Sequence, residues 1–303
     1  MDRIVIVTKP TRLEELLLRQ TEGAARFSLE SRGLSLEPYQ VEHAAYHTAL
    51  AEVQRQIPND VPTATVARKD LSELQFRDKD LVVVCGPDGL FVNAAKYIRN
   101  QSVLTVNPDP KNVSGVLMLF PPQAVGSVIA RVQEGKHQVE RLPFVKASID
   151  DYTTVWGIND IFIGRNDQIS ARYEISFGKQ KEHQSSSGII VSTGVGSTGW
   201  IRSVSAMVSS VMHERTEHKL SVTPSATSNE LLFVVREPFV SANTGASIVT
   251  GRVVPGNPLS IISEMPQGGC IFSDGVTEKA VKWNAGSTVV VSVGDRYIER
   301  IVR

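Results

Sequence analysis

Leu81-Val82-Val83-Val84-Cys85, followed at once by Gly86-Pro87-Asp88-Gly89-Leu90, decides the reading of the first half of the chain. Five apolar residues without polar alternation fit a strand buried on both faces, and the glycine and proline end it. Phe91 to Ile98 then reads as a helix, which puts the loop between a parallel strand and a helix. In an open α/β sheet the crevice at the strand carboxyl ends is where ligands bind. Glycines let backbone approach a phosphate, and a helix N-terminus offers unpaired amides and the positive end of a dipole. The Asp88 carboxylate repels phosphate. It suits taking a proton from a hydroxyl that attacks a phosphoryl group, or working through a metal ion. Taken alone, the same five residues read equally well as an ordinary turn with a solvated acid.

Outward from this stretch, strands and helices alternate. Ile4 to Val7 is an apolar run fit for a buried strand, and Thr11-Arg12-Leu13-Glu14 has the spacing of a capping box. Leu13, Leu16, Leu17, Ala24 and Phe27 follow at helical spacing, and a second helix is expected over Ala44 to Gln56. Val103 to Val106 predicts another strand and Ala124 to Val132 another helix. Such alternation implies a parallel sheet covered on both faces. Beyond about residue 138, short β-type runs are separated by turn chemistry: Asp160 to Ile163, Ala171 to Phe177, Gly188 to Ser192, Leu231 to Val235, Leu259 to Ile262 and Thr288 to Val293. Ile201 to Met212 is the helical exception. The expected organisation is an α/β domain over 1–137 carrying the Asp88 loop and a β-rich domain over 138–303, with a C-terminal tail that returns to the first. No Gly/Ser/Pro linker separates them, so close contact and a cleft are expected.

Composition narrows the class. The 303 residues are 41% hydrophobic and 21% charged, as in a globular protein, and the 32 basic and 32 acidic residues balance. That balance argues against nucleic acid or an anionic membrane as the main partner. Two cysteines, Cys85 and Cys270, do not make a disulfide framework and suit a reducing compartment. The apolar run at Ile4 to Val7 is too short for a signal peptide, and no stretch approaches a membrane span. A cytoplasmic location is expected, and the Asn112-Val113-Ser114 sequon is read as chance.

A second loop, Ser192 to Trp200, contains Gly194-x-Gly196-x-x-Gly199, the spacing of a dinucleotide fingerprint, and so admits a nicotinamide-dependent oxidoreductase. The stretch where that motif needs a second strand and a ribose-binding acid, His213 to Asn229, is polar, and Glu214 and Glu217 follow no strand. No lysine follows the glycines, which excludes a Walker P-loop. A tight turn without a ligand is the plain alternative. Between the loops, Gly157-Ile158-Asn159-Asp160-Ile161 offers an amide for a base edge and a carboxylate for a ribose diol, or simple turn chemistry. Several other residues are set aside. His213 and His218 read as solvated surface with no zinc set around them. Cys85 reads as inert packing and Asp274-Gly275 as a hairpin turn. Arg165, Arg172 and Lys179 could meet phosphate, though exposed strand positions are as good a reading. No protein metal-ligand set is assigned.

The three segments in this order resemble the NAD kinase family, whose signature is a Gly-Gly-Asp-Gly-Thr loop, an Asn-Glu pair and a Thr-x-x-Gly-Ser-Thr-Ala-Tyr loop. Val7 to Arg12 and Thr105 to Pro110 resemble the family's first-domain segments. Glu174-Ile175-Ser176, Ser186-Ser187-Gly188 and Arg236-Glu237-Pro238 look closest to its mitochondrial-type branch. The resemblance implies a Rossmann-like α/β domain followed by a β-sandwich-like one, and phosphorylation of the 2′-hydroxyl of the NAD adenosine ribose to give NADP. It implies Asp88 as general base and Gly86, Gly89 and Asn107 at phosphates. Asn159, Asp160, Ser197, Thr198, Gly199 and Trp200 would hold NAD. It also implies ATP or polyphosphate with Mg²⁺ as donor, and a homodimer or homotetramer. The chain departs from the signature at Pro87, which lacks an amide proton, at Leu90, which lacks a hydroxyl, at Asp160, one methylene shorter than glutamate, and at Trp200 in place of tyrosine. Nucleotide binding is expected to survive these changes better than phosphoryl transfer. An impaired NAD(P)-binding protein on the same fold and a kinase for a lipid or sugar hydroxyl are the alternatives.

Overall fold

The computed structural model describes residues 1–211 and 223–303, in two compact units: Met1–Glu140 with Ile298–Arg303, and Arg141–Tyr297. His213, Glu214, Glu217, His218 and the expected helix end at Met212 lie outside the described residues. Among the described residues, no helix is long and apolar enough to cross a membrane.

In the first unit, β1 (Arg3–Thr8) leads through α1 (Arg12–Leu17), α2 (Glu22–Glu30) and α3 (Glu37–Arg55) to β2 (Thr63–Ala67). Then follow β3 (Asp80–Cys85), α4 (Asp88–Ala95), β4 (Ser102–Val106) and α5 (Val125–Gln133). The strands run parallel in the order β2-β1-β3-β4, and the end of the chain's last strand lies parallel to β4, with Arg300 opposite Val103. Ile4, Ile6, Leu81 and Val83 pack with Val53 of α3 and Val125, Val128 and Ile129 of α5. The alternate residues Val5, Val7, Val82 and Val84 are buried on the other face, which is why the strands read as unbroken apolar runs.

Two sequence expectations are corrected here, and one strand is added. The spacing from Leu13 to Phe27 suggested one apolar stripe. The chain breaks instead after Leu17, and Thr21 caps a new helix through the Ala24 amide. Leu17 and Phe27 are exposed, while Leu13, Ala25, Leu29 and Leu36 form a small core of their own. α4 starts at Asp88 rather than Phe91, because Pro87 holds the extended N-cap conformation and leaves the carboxylate in the first turn. β2 escaped notice because only Val66 of its five residues is buried.

The second unit is built from β5 (Gln138–Ile149), β6 (Thr153–Gly157), β7 (Asp160–Arg165), β8 (Ala171–Phe177), β9 (Gln180–Ser186) and β10 (Ile189–Ser192). After α6 (Trp200–Val211) come β11 (Leu231–Val235), β12 (Thr250–Val253), β13 (Leu259–Ser263), β14 (Gly269–Ser273), β15 (Val276–Lys282) and β16 (Thr288–Val302). One sheet runs β12-β11-β10-β7-β14-β15, antiparallel throughout. The other carries β16-β13-β8-β9, with β5 pairing both β16 and β6. A single core joins them, from Ile161, Ile163, Val191 and Phe233 of one to Tyr173, Ile175, Ile261 and Val291 of the other. This is a sandwich of two sheets closed over alternating residues.

Candidate functional site

In the first unit the chain leaves β1 toward β2 on one side and reaches β3 on the other. The sheet therefore changes direction between β1 and β3, where an open α/β sheet forms its crevice. A pocket of about 280 Å³ occupies that position. Its walls are Lys9, Pro10, Thr11 and Arg12 after β1, Gly86 and Pro87 after β3, Glu42 and Tyr46 of α3, and the segment after β4 from Asn107 to Met118. Arg12 pairs with Glu42. The Tyr46 hydroxyl donates to the Cys85 carbonyl at 3.3 Å and accepts from the Lys9 amide at 3.3 Å, which ties α3 to both strand ends. Burial pushes the Tyr46 hydroxyl up to about 12, so it stays a neutral donor. Burial also pushes the Cys85 thiol up to about 12, and a thiol so held is no nucleophile at neutral pH.

Asp88 follows directly on Pro87 of this pocket wall and is held by backbone. Its Oδ2 accepts from the Val116 amide at 3.1 Å and its Oδ1 from the Leu117 amide at 3.0 Å. Gly115 approaches so closely that a Cβ there would stand 3.4 Å from Asp88 Oδ1. Asn107 is buried and shapes the same segment: its Nδ2 donates to the Val113 carbonyl at 2.8 Å, and its Oδ1 accepts from the Asp109 amide at 3.0 Å. Gly86 donates its amide to the Val106 carbonyl, while Gly89 lies exposed in the first turn of α4. Leu90 points inward, 1% exposed, with its Cδ2 only 2.7 Å from where a Gly86 Cβ would be. The expected hydroxyl loss at Leu90 is thus a change in the core rather than on the loop face.

Sequence reasoning missed Arg300. It is buried, pairs with Glu140, and donates from Nη1 to the Leu117 carbonyl at 2.9 Å. The residue whose amide holds Asp88 is therefore itself held from the C-terminal strand. No local signal marks Arg300, since its partners lie far away in the chain.

The strand order also builds the cluster in the second unit. β7 lies between β10 and β14, both antiparallel to it, so the start of β7 meets the ends of the other two. Asn159 and Asp160 lie at that start, Ser192 ends β10, and Ser273 ends β14. The β14–β15 connection is the two-residue hairpin read from Asp274-Gly275, with φ of +53° and +70°. Its aspartate has a task that a turn assignment overlooks. Asp274 Oδ1 accepts from the amides of Asn159 at 2.8 Å, Ile158 at 3.1 Å and Asp160 at 3.3 Å. Thr193 Oγ1 donates to the Ile158 carbonyl at 2.5 Å, and Ser192 Oγ to the Asn159 carbonyl at 3.2 Å. Thus the backbone at 158–160 is gripped from both sides, while the buried Asn159 Oδ1 has no hydrogen-bond partner among the described residues. A buried acceptor left unmade costs free energy that a ligand donor restores.

The glycine loop follows β10 as a 3₁₀ turn over Val195–Thr198, with Ser197 Oγ donating to the Gly194 carbonyl at 2.7 Å. Because β10 is antiparallel to both neighbours, the loop lacks the βαβ setting of a dinucleotide fingerprint, and the oxidoreductase alternative loses its support. Gly196 is required by contact: a Cβ would stand 2.1 Å from the Asn159 carbonyl oxygen. Gly196→Ala is expected to destabilise the chain by about 1–3 kcal/mol through this clash and to weaken nucleotide binding with it. An unchanged melting temperature would show that the two loops do not meet. Gly199 ends the turn, Thr198 makes a weak bond to the Val195 carbonyl, and Trp200 opens α6. Trp200 stacks on Phe162 at 5.6 Å with the Arg236 guanidinium 5.4 Å from its ring centre. Arg165 is engaged by Asp167 and by the Gln267 carbonyl, and Arg172 lines a separate polar pocket with His183 and Glu264.

Several carboxylates lie below their ordinary range. The hydrogen bond from Arg165 leads in lowering Asp167 to about 2. Burial raises Glu182, but the amides of Ile248 and Ser247 and the Gln184 side chain outweigh it, leaving the group lowered. Burial likewise raises Glu14, and the Thr11 amide and the His47 ring outweigh it. A carboxyl lowered in the folded state stabilises the fold above its unfolded pKa, and that stability is lost as pH falls through the folded value. The melting temperature should therefore decline from about pH 4 downward, with the Asp167 contribution gone near its folded value of about 2. Thermal melts across pH, with Asp167→Asn showing a shallower acid limb, check this.

No family model matches the chain. It is 26% identical to an NAD kinase of Bacteroides fragilis over 191 residues, 61% of this chain and 63% of the relative. It is 27% identical to an NAD kinase of Saccharolobus islandicus over 128 residues, 42% of this chain and 49% of the relative. The matched stretches thus span less than two thirds of these relatives' lengths. Among solved structures it is similar to a yeast NADH kinase complexed with NADH, with a TM-score of 0.60 and 14% identity, covering 99% of this chain and 83% of that one. An Archaeoglobus fulgidus NAD kinase in complex with ATP gives a TM-score of 0.58 and 15% identity, covering 99% and 93%.

Proposed function

We propose that this chain, which belongs to the NAD kinase family, phosphorylates the 2′-hydroxyl of the adenosine ribose of NAD to give NADP. The observation that carries the proposal is the Asp88 carboxylate, fixed by the Val116 and Leu117 amides beside Pro87 and Gly115 of the switch-point pocket wall. Asp88 takes the proton of the attacking hydroxyl as its oxygen bonds to the terminal phosphorus of the donor. The bond from that phosphorus to its bridging oxygen breaks, and ADP or a shortened polyphosphate leaves. Lys9, Arg12 and the first-turn amides of α4 at Gly89 supply positive potential for the donor phosphates, and the Asn107 scaffold shapes their wall. Mg²⁺ neutralises phosphate charge when bound, and it takes oxygen ligands. Asp88, with Asp109 in the pocket wall, offers the carboxylate oxygens that suit it.

In the second unit, Asn159 Oδ1 is the acceptor available to a donor on the adenosine, and Asp160 serves the ribose diol beside it. Ser197, Thr198, Gly199 and Trp200 form the wall that bounds NAD. We assign the protein to the cytoplasm and propose a homodimer or homotetramer, an oligomeric state that light scattering on the purified chain reads directly.

The test is a coupled assay for NADP with ATP and with polyphosphate as donors. A folded protein that binds NAD by calorimetry and makes no NADP with either donor sinks the kinase reading. It would support the second one, a nucleotide-binding protein with an impaired loop, which Pro87 favours because it removes one amide next to Asp88. Pro87→Gly then separates the cases, since restoring the amide raises turnover only where its loss is limiting. Leu90 is left in place, because a threonine there would put a hydroxyl into the core.

A further inference from the structure

His43 and His47 lie four residues apart on α3 and so share a face of that helix. Glu14 of α1 meets them there. Its Oε1 is 3.0 Å from His47 Nε2 and 4.0 Å from His43 Nδ1, and one ligand atom from each of the three falls within 4.8 Å of the others. The two imidazole rings are 4.3 Å apart between centroids. We propose that Glu14, His43 and His47 form a site for one divalent transition-metal ion of the zinc class, bridging α1 and α3.

The donor set points to that class. Two imidazoles and one carboxylate are a ligand set for Zn²⁺, Co²⁺ or Ni²⁺, whereas Mg²⁺ prefers oxygen alone. Atoms bound to a tetrahedral ion at about 2.0–2.1 Å stand roughly 3.4 Å apart, so side-chain movements of up to about 1.4 Å close the set. The carboxylate is already oriented. Glu14 Oε2 accepts from the Thr11 amide at 2.7 Å in the capping box, which leaves Oε1 for the ion. His43 Nδ1 hydrogen-bonds the Thr11 hydroxyl at 2.9 Å, a neutral contact that a metal bond replaces. All three side chains are partly exposed, so an ion reaches them from solvent, and water can fill the fourth position. The ion would tie together two helices that supply Thr11, Arg12, Glu42 and Tyr46 to the pocket wall. The proposal is independent of the kinase reading.

Calorimetry with ZnCl₂ on the chelator-treated full chain should give one ion per chain, and saturating Zn²⁺ should raise the melting temperature by several degrees. His47→Gln and Glu14→Gln should each weaken binding by at least about tenfold, the lower bound for losing even an outer-sphere partner. Both positions are partly exposed, and glutamine at position 14 still closes a capping box, so both variants should fold. Co²⁺ on the unaltered chain should give visible absorption of low-symmetry coordination, which does not depend on any variant. No saturable Zn²⁺ binding, equal affinity in the variants, or displacement by equimolar Mg²⁺ would overturn the site and leave a plain His–Glu clamp between the helices.

Discussion

Asp88→Asn is expected to lower kcat for NADP formation by about 10²–10⁴-fold, the usual contribution of a general base, with NAD affinity retained. The variant separates chemistry from architecture because the two carboxylate oxygens do different structural work. Oδ1 accepts from the partly buried Leu117 amide, and Oδ2 from the exposed Val116 amide. Asparagine can keep its oxygen on Leu117 and turn its amide toward solvent, where water satisfies Val116. The loop at 113–118 should therefore stay in place. Rate data under single turnover, beside NAD calorimetry and a thermal melt, check the result. A variant that folds, binds NAD and turns over within about threefold of the parent would remove Asp88 from the chemistry, since that margin is far below a general base's contribution.

How much of this was legible in the sequence follows from how local each signal is. β1, β3 and β4 could be read because both faces of the parallel sheet are covered and their central residues are almost all apolar, Thr105 being the exception. Asp88 could be read because its glycine and proline neighbours mark a strand end. Strands with polar residues on both faces could not: β9 is Gln180 to Ser186, and β15 exposes Thr277 to Ala280 in succession. Asp274 was visible as a turn and invisible as the acceptor of three amides, because only the β10-β7-β14 order brings it to residue 158. His43 and His47 show their spacing openly, but Glu14 comes from another helix that the apparent Leu13-to-Phe27 stripe had misdrawn.

Arg300 is the extreme of this non-locality, and its replacement carries the second large effect. Its guanidinium pairs with Glu140 and reaches the carbonyl of Leu117, the same residue whose amide holds Asp88. Arg300→Met fills the volume but leaves a carboxylate and a carbonyl without their donor. Breaking one side of a buried pair typically costs about 3–5 kcal/mol, and Glu140 is open enough to water that about 2–4 is expected here. The melting temperature should fall accordingly. The more telling readout is kinetic. With Leu117 released, the Asp88 carboxylate loses its fixed direction, so kcat should drop while KM for NAD, which the proposed reading assigns to the second unit, stays near the parent value. Arg300→Lys keeps the charge without the two-pronged reach, so it should recover stability more fully than turnover. If both variants lose stability but keep kcat, Asn107 and Asp88 suffice to hold the loop at 113–118 and Arg300 is only a structural tie.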